Sequence, residues 1–194
     1  MSKNLLRLKL LGSPSVFLNQ EEVFFPFAKI NALLYYLHIN GAVNREEIAG
    51  ILWENKDNQT AKKNLRNTIY QANKLLGGEW IVAPNRTVLS LNPECAIESD
   101  VELFTDHPAE YLSLYQGDFL QGFYLKDSEA FDYWVSKMRT RYEQLYIQAC
   151  YQQLETEKDH LDLEEAERNL RRLISIDEFD EKNYHLLMKL YQDN

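Results

Sequence analysis

Residues 58–78 read NQTAKKNLRNTIYQANKLLGG and carry four basic residues but no acidic one, in a chain whose net charge is −9. On a helical wheel of about 100° per residue, five apolar side chains share one stripe: Ala61, Leu65, Ile69, Ala72 and Leu76. The remaining face carries Thr60, Lys63, Asn64, Arg66, Asn67, Tyr70 and Lys74. Cations, amides and a phenol are groups that contact phosphates and base edges. The stretch therefore fits either a DNA recognition helix or a surface helix that is basic by chance.

The residues before this stretch predict a small antiparallel sheet and two helices. Leucines alternate with Arg7 and Lys9 along residues 5–11, which is the two-residue period of a half-buried strand. Apolar spacing predicts the other elements, which are strands at 16–18 and 22–25 and helices at 28–39 and 45–53. Asn44 is the expected N-cap of the second helix, and Glu47 stands at the capping-box position three residues later.

The residues after the stretch predict a hairpin. Residues 80–83 and 87–91 have strand character, and Pro84-Asn85-Arg86 between them fits a tight turn. The order of sheet, three helices and hairpin is that of a winged helix, in which the third helix enters the major groove of DNA. Arg86 at the hairpin tip could reach a phosphate or an adjacent minor groove. It could equally be a solubilising surface residue, and both readings stay open here.

Charge divides the chain into two unlike halves. Residues 1–98 hold 11 basic and 9 acidic residues, a net of +2, whereas residues 99–194 hold 10 and 21, a net of −11. The first half could approach a polyanion, and the second would be repelled by one. A chain of 194 residues is long enough for two small cores. We therefore predict two domains, at 1–98 and 99–194.

The composition also limits the expected cellular location of the protein and the reactions it could catalyse. No apolar run approaches the ~18 residues of a membrane span, and the charged N-terminus does not fit a signal peptide. We expect a cytoplasmic protein with no membrane partner, in which Cys95 and Cys150 are reduced thiols. The histidines have no metal spacing, and no phosphate-binding glycine loop is present. We therefore expect neither enzymatic activity nor a cofactor, and we expect His38 to be a helix C-terminal residue rather than a ligand.

The second half has an all-helical pattern after a predicted linker at residues 92–99. Apolar spacing predicts short helices at 101–104 and 109–115, then a connector at 117–122. It further predicts a long amphipathic helix at 128–157 and two shorter helices at 163–176 and 182–191. The fold class that follows is mainly α with a small antiparallel sheet: a winged helix-turn-helix domain and then an all-α domain.

Several stretches resemble the Streptomyces antibiotic regulatory proteins, a family of bacterial transcriptional activators. ILWENKDNQTAKKNLRNTIYQANKLLG at 51–77 is similar to the heart of the family's OmpR-like winged helix. SLYQGDFLQGF at 113–123 and WVSKMRTRYEQLYIQAC at 134–150 resemble the bacterial transcriptional activator domain that follows it. The resemblance covers nearly the whole chain and is strongest at Leu52-Trp53, at Asn64-Leu65-Arg66, at Asp100 and along residues 115–123.

The resemblance implies that the second half is built of tetratricopeptide-like helix pairs, whose period is roughly 34 residues. EEAERNLRRLISIDEFDEKNYHLLMKLY at 164–191 is similar to the junction of two such repeats. Asn73 stands where the family has an arginine, Ala72 where it has a leucine, and Glu178 where a helix-ending proline is usual. The change at Asn73 weakens the carry-over of base contacts in the last turns of the recognition helix.

These observations predict a sequence-specific regulator that binds double-stranded DNA. The central contacts are assigned to Lys63, Arg66 and Asn67, with Arg66 on guanine and Asn67 on adenine. Phosphate contacts are assigned to Thr60, Lys62 and Lys74, and a contact beside the major groove to Arg86. The family resemblance implies two copies bound head to tail on direct repeats.

The acidic half is predicted to bind protein. Residues 182–191 resemble the first helix of a repeat that lacks its second helix, which would leave Leu187, Leu190 and Tyr191 exposed. Either a longer chain or a partner would cover this face, and the candidate partners are a second copy of the chain and RNA polymerase, the latter suggested by the resemblance alone. The alternative function is a protein–protein interaction module of helical repeats whose winged helix does not bind DNA.

Overall fold

A computed structural model of the chain describes residues 4–156 and 162–192. In these two ranges the fold is mainly α, as the sequence predicts, with two small sheets. The helices are α1 (Ala28–Asn40), α2 (Arg45–Leu52), α3 (Asn58–Leu75), α4 (Asp100–Asp106), α5 (Glu129–Thr156), α6 (Leu163–Ile176) and α7 (Glu181–Gln192). The strands are β1 (Leu5–Lys9), β2 (Ser15–Leu18), β3 (Glu21–Glu22), β4 (Val43–Asn44), β5 (Ile81–Val82), β6 (Val88–Leu91) and β7 (Ala96–Ser99). Over the same ranges, no helix has the length and apolar character needed to cross a bilayer.

The first sheet is mixed rather than antiparallel, because β7 joins it. Its strand order is β3-β2-β1-β7, with β1 antiparallel to β2 and parallel to β7. The linker predicted at residues 92–99 therefore ends in a strand, whose Ala96 pairs with Leu5 and whose Ser99 pairs with Leu8. Parallel strands are joined by long crossovers and not by a local turn. No short-range sequence pattern therefore predicts this pairing.

The three helices and the hairpin form the predicted winged helix. Asn44 caps α2, because its Oδ1 accepts hydrogen bonds from the backbone N–H groups of Glu46 and Glu47. Asp57 caps α3 in the same way. Strands β5 and β6 make the wing hairpin, and β4 pairs with β6 on its other edge. The wing is thus tied to the start of α2.

The second half is helical, with one segment that differs from expectation. Residues 109–115 form turns and a 3₁₀ turn at Leu112–Leu114 instead of an α-helix. Leu112 and Tyr115 are buried, and the Arg172 guanidinium donates a hydrogen bond to the Tyr115 carbonyl at 2.7 Å. Tertiary contacts, and not intrahelical hydrogen bonds, therefore fix this backbone. The last residue of the predicted helix 128–157 lies outside the described residues.

Residues 10–12 are held from two sides, an arrangement we call the clasp. The Asp100 carboxylate accepts hydrogen bonds from the backbone N–H groups of Leu10 at 2.8 Å and Leu11 at 3.0 Å. On the other side, Leu120 N–H donates to the Leu10 carbonyl at 2.8 Å. Gly12 has φ +120°, and a Cβ on Gly117 would meet its Cα at 3.0 Å. The close approach of these two backbones therefore requires glycine.

The buried side chains of both halves form one continuous hydrophobic cluster. Tyr36 of α1 packs on Trp134 of α5 with ring centroids 4.8 Å apart. Tyr35 meets Phe123 edge to face at 5.6 Å. The two aromatic pairs join α1 to α5 and to the segment before it. The division at residues 98 and 99 stays a prediction about domains.

His38 lies in the last turn of α1 and is almost fully buried. Its Nε2 is 2.7 Å from Ser99 Oγ, and a Glu102 oxygen lies at 3.8 Å. Burial lowers the pKa of His38 and the Glu102 charge partly opposes this. The neutral imidazole thus joins α1 to the start of α4, which is a structural role for this histidine.

Replacing Asp100 with Ala should destabilise the fold, because it removes the acceptor for the N–H groups of the buried residues Leu10 and Leu11. We expect a loss of about 1 to 3 kcal/mol in the free energy of unfolding, measured by urea denaturation. Asp118→Ala is the matched control, because Gly12 N–H of the clasp donates to the Asp118 backbone carbonyl at 3.1 Å while the Asp118 side chain is exposed. It should change stability by less than about 0.5 kcal/mol. Equal midpoints for the two variants would contradict the assigned role of Asp100.

Candidate nucleic-acid interface

Helix α3 buries the face that its sequence predicts. Ala61, Leu65, Ala72 and Leu76 are buried and Ile69 is half-buried. Thr68 is also buried, a residue that the apolar pattern did not include. The opposite face is exposed and carries Lys63, Arg66, Asn67, Tyr70 and Lys74. The helix is therefore anchored on one side and presents cations, an amide and a phenol on the other.

Two predicted phosphate contacts already have partners in the folded chain. The Thr60 hydroxyl donates to an Asp57 carboxylate oxygen at 2.6 Å. That hydrogen bond is the main cause of the lowered pKa of Asp57. The Lys62 ammonium donates to Glu46 Oε1 at 2.6 Å. DNA would have to compete with these carboxylates for both side chains.

A cleft of about 470 Å³ lies between α2, α3 and the wing, and we call it the wing-side cleft. It brings together three of the predicted DNA-binding residues, Lys62, Arg66 and Arg86, although Arg86 is 20 positions from Arg66 in the sequence. Its other lining residues are Arg45, Glu46, Gln59, Leu65 and Thr87. Four cationic side chains and one carboxylate therefore border a concave surface, which suits a polyanion.

Arg45 is a candidate that the sequence analysis missed. It is the first residue of α2, and its backbone N–H donates to the Thr87 carbonyl of the wing at 2.8 Å. The first helix of a helix-turn-helix crosses the DNA backbone, so a cation directly after the Asn44 cap could have been noted. What the sequence did not show is that the wing folds against this position.

The wing tip is a structured turn. Asn85 Oδ1 accepts hydrogen bonds from the Thr87 and Val88 N–H groups, each at 2.9 Å. An asparagine side chain that bonds its own backbone in this way fixes a turn. Arg86 within the turn is exposed, so its guanidinium projects from a fixed backbone.

Asn73 ties α3 to the wing. Its side-chain oxygen accepts hydrogen bonds from Trp80 N–H at 3.1 Å and Ile81 N–H at 2.9 Å, and its Nδ2 donates to the Ile81 carbonyl at 2.9 Å. Three bonds from one amide position the first wing strand against the end of α3. Where the resemblance leads one to expect an arginine, this chain thus has a residue that holds the wing.

A second cleft, of about 500 Å³, lies on the other flank of α3, and we call it the loop-side cleft. Asn64 and Asn67 of α3 line it together with Lys29, Trp53 and Lys126. The remaining lining residues are Pro26, Phe27, Ala28, Thr68 and Leu125. The predicted adenine contact at Asn67 therefore lies apart from the wing-side residues.

Lys63 and Lys74 are exposed on the outer ridge of α3 and line neither cleft. The structure thus distributes the seven predicted DNA-binding residues over one helix surface and the wing. Lys62, Arg66 and Arg86 lie on the wing side, Asn67 lies on the loop side, Lys63 and Lys74 lie on the ridge, and Thr60 lies half-buried beside its cap.

The protein-interaction residues are only partly as expected. Tyr191 is exposed, and the Arg171 guanidinium donates to its hydroxyl at 3.0 Å. Leu187 and Leu190, predicted to be exposed, are instead half-buried and packed against the core, because α7 lies along α6. The exposed large side chains in this region are Phe179, Tyr184, Met188 and Tyr191.

A solved structure has a fold similar to that of this chain. The chain matches Mycobacterium tuberculosis EmbR, solved in complex with a low-affinity phosphopeptide, with a TM-score of 0.72 and 20% sequence identity. The match covers 97% of this chain and 55% of EmbR, so the chain spans about half the length of that protein. At this identity the likeness shows the fold alone. No protein-family model and no curated protein matches the chain.

Residues that could hold a metal are not grouped in the parts of the chain that the structure describes. Within residues 4–156 and 162–192, no three His, Cys, Asp or Glu side chains come together in a suitable cluster. The site described above therefore offers hydrogen-bond donors and cations, which lie on α3 and in the two clefts beside it.

Replacing Asn73 with Ala should loosen the wing, because the N–H groups of Trp80 and Ile81 lose their acceptor. We expect the free energy of unfolding to fall by about 1 to 3 kcal/mol in urea denaturation. Asn67→Ala, at an exposed position of the same helix, is the control and should change it by less than about 0.5 kcal/mol. If Asn73→Ala is as stable as the control, Asn73 does not hold the wing.

Proposed function

We propose that this chain is a sequence-specific DNA-binding transcriptional regulator that acts as an activator. The observation that carries the proposal is the exposed, acid-free face of α3, bordered by a cleft with four cations, in a chain of net charge −9. In this proposal α3 lies in the major groove and the wing contacts the adjacent phosphates or minor groove. The EmbR-like fold supports it, since EmbR is a regulator of the family that the sequence resembles.

Each of the seven predicted DNA-binding residues has a proposed role. Arg66 reads a guanine and Asn67 an adenine, because a guanidinium and a side-chain amide match the major-groove edges of those bases. Lys63 lies beside them on the ridge. Thr60, Lys62 and Lys74 bind phosphates, and Arg86 binds beside the major-groove site, where its exposed position on a fixed turn favours a contact.

We further propose that two copies bind direct repeats head to tail and that the acidic half contacts protein, either RNA polymerase or another copy. The support for the first is the family resemblance. The support for the second is the −11 charge of residues 99–194 and the exposed Phe179, Met188 and Tyr191. The salt dependence of binding distinguishes DNA binding from the alternative function as an interaction module. Binding through several phosphates weakens steeply with ionic strength, whereas an apolar contact does not.

The direct test is a footprint on the promoter DNA next to the chain's own gene, followed by titration of the protected duplex by fluorescence anisotropy from 50 to about 200 mM salt. A sequence-specific regulator should protect a defined site and bind it more tightly than an unrelated duplex. Binding to neither duplex at the lowest salt would overturn the proposal and favour the interaction module.

Arg66→Ala should weaken binding to the protected site by about 1 to 3 kcal/mol and reduce discrimination at one base pair, because a base contact is lost. Lys74→Ala is the comparison, since an exposed phosphate contact on the same helix should weaken all sequences alike. Both effects are measured by anisotropy titration against the site and its single-base variants. Unchanged affinity and discrimination for Arg66→Ala would mean that α3 does not read the sequence.

Glu46→Gln should strengthen DNA binding, because the Lys62 ammonium then loses its carboxylate partner at 2.6 Å and becomes free for a phosphate. We expect higher affinity at each salt concentration with little change in the slope of log K against log salt, because Lys62 contacts one phosphate in both proteins and only the competing carboxylate is lost. Glu47→Gln removes the same charge from the adjacent exposed position and serves as the control. If the two variants bind alike, general charge and not the ion pair is responsible.

A further inference from the structure

One basic residue of the acidic half lies beside the recognition helix. Lys126 lines the loop-side cleft together with Asn64 and Asn67 of α3 and is exposed. It lies between the connector at 117–122 and the start of α5 at Glu129, in a half whose net charge is −11. A cation from this half is therefore placed at the predicted DNA-binding surface.

The backbone around Lys126 is held on both sides. Leu125 is buried on one side. On the other, the buried Ser128 donates its hydroxyl to the Ile51 carbonyl, and Ala130 N–H donates to a Glu54 carboxylate oxygen at 3.1 Å. Both acceptors belong to the end of α2 and the turn after it. The position of Lys126 relative to the helix-turn-helix is thus set by packing and hydrogen bonds.

Two further lysines lie along the same edge. Lys29 is partly buried, donates its ammonium to the Leu52 carbonyl and lies 5.3 Å from the Trp53 ring centroid. Burial lowers its pKa, the Lys56 charge adds to that effect, and the Asp127 charge opposes it. Lys29 is therefore committed to the fold. Lys56 is exposed but does not line the loop-side cleft, so Lys126 is the exposed lysine among the residues that line it, with Asp127 next in sequence.

The two clefts occupy opposite flanks of α3. A helix in the major groove, which is about 12 Å wide, is bordered by one phosphate backbone on each side. If the cations of the wing-side cleft face one backbone, the flank with Asn64, Asn67 and Lys126 faces the other. A lysine at this place suits a phosphate as a flexible point charge.

We propose that Lys126 binds a DNA phosphate on the side of the major groove opposite the wing, so that the acidic half takes a direct part in DNA binding. This inference rests on the proposed function. It assigns a DNA contact to a segment outside the winged helix. It also gives the packing between the two halves a functional consequence, because that packing positions the lysine.

The test compares Lys126→Ala with Lys189→Ala in the full chain. Lys189 is an exposed lysine of the same half on α7, so both variants lose the same charge. The probes are the footprinted duplex and an unrelated duplex, titrated by anisotropy at several salt concentrations. Lys126→Ala should weaken binding to both by about five- to tenfold near 0.1 M salt, and the salt slope should fall by about 0.9. Lys126→Arg should retain binding.

The outcomes separate the two proposals. If the wild-type chain binds neither duplex, the proposed function fails. If it binds and Lys126→Ala matches Lys189→Ala in affinity and slope, the function stands and the inference about Lys126 is wrong. A loss confined to the footprinted sequence with an unchanged slope would also overturn it, because a phosphate contact is independent of sequence. Equal urea midpoints for the variants and wild type establish that any loss is not unfolding.

Discussion

The clasp on residues 10–12 is the constraint on which the arrangement of the two halves depends. After β1 ends, its next backbone N–H groups bond to the Asp100 carboxylate, and the Leu10 carbonyl bonds to Leu120 N–H. Burial raises the pKa of Asp100, and the hydrogen bonds from Leu11 and Leu10 oppose that effect. A buried carboxylate is tolerated only when it is bonded in this way. Residues 10–12 are thereby bonded both to Asp100, at the start of α4, and to Leu120, in the connector at residues 117–122.

Two arginines of the acidic half hold its own fold. Arg139 donates to the Phe119 and Leu120 carbonyls, each at 2.9 Å. Arg172 donates to the Tyr115 carbonyl and lies over the Tyr115 and Tyr146 rings at 4.6 and 5.3 Å. Such side chains are bound to the protein interior and are not available to a polyanion. Lys126, which is exposed and lines the cleft beside α3, differs from these two arginines because its charge is open to solvent.

On the proposed DNA surface, cations that attract DNA lie beside carboxylates that compete with DNA for two of the predicted contact residues. Asp57 and Glu46 hold Thr60 and Lys62 in the free chain, and they leave Arg66 and Arg86 to face solvent. Exposed ion pairs contribute little to stability, so exchange of Glu46 for a phosphate costs little. Carboxylates at the edge of a basic face also disfavour loose binding to any polyanion, and this effect favours sites where the base contacts add to the phosphate contacts.

The sequence by itself determined the longer helices, the Asn44 cap and the two faces of α3, because apolar periodicity and capping are relations among residues a few positions apart. It also indicated the winged-helix order and the mainly α class. Only the tertiary structure decided that β7 pairs with β1, that residues 109–115 are not an α-helix, and that Leu187 packs against the core. Only folding brought Arg45 to the wing and Lys126 to α3. These features depend on contacts between elements about 10 to 90 positions apart, which no pattern within one element encodes.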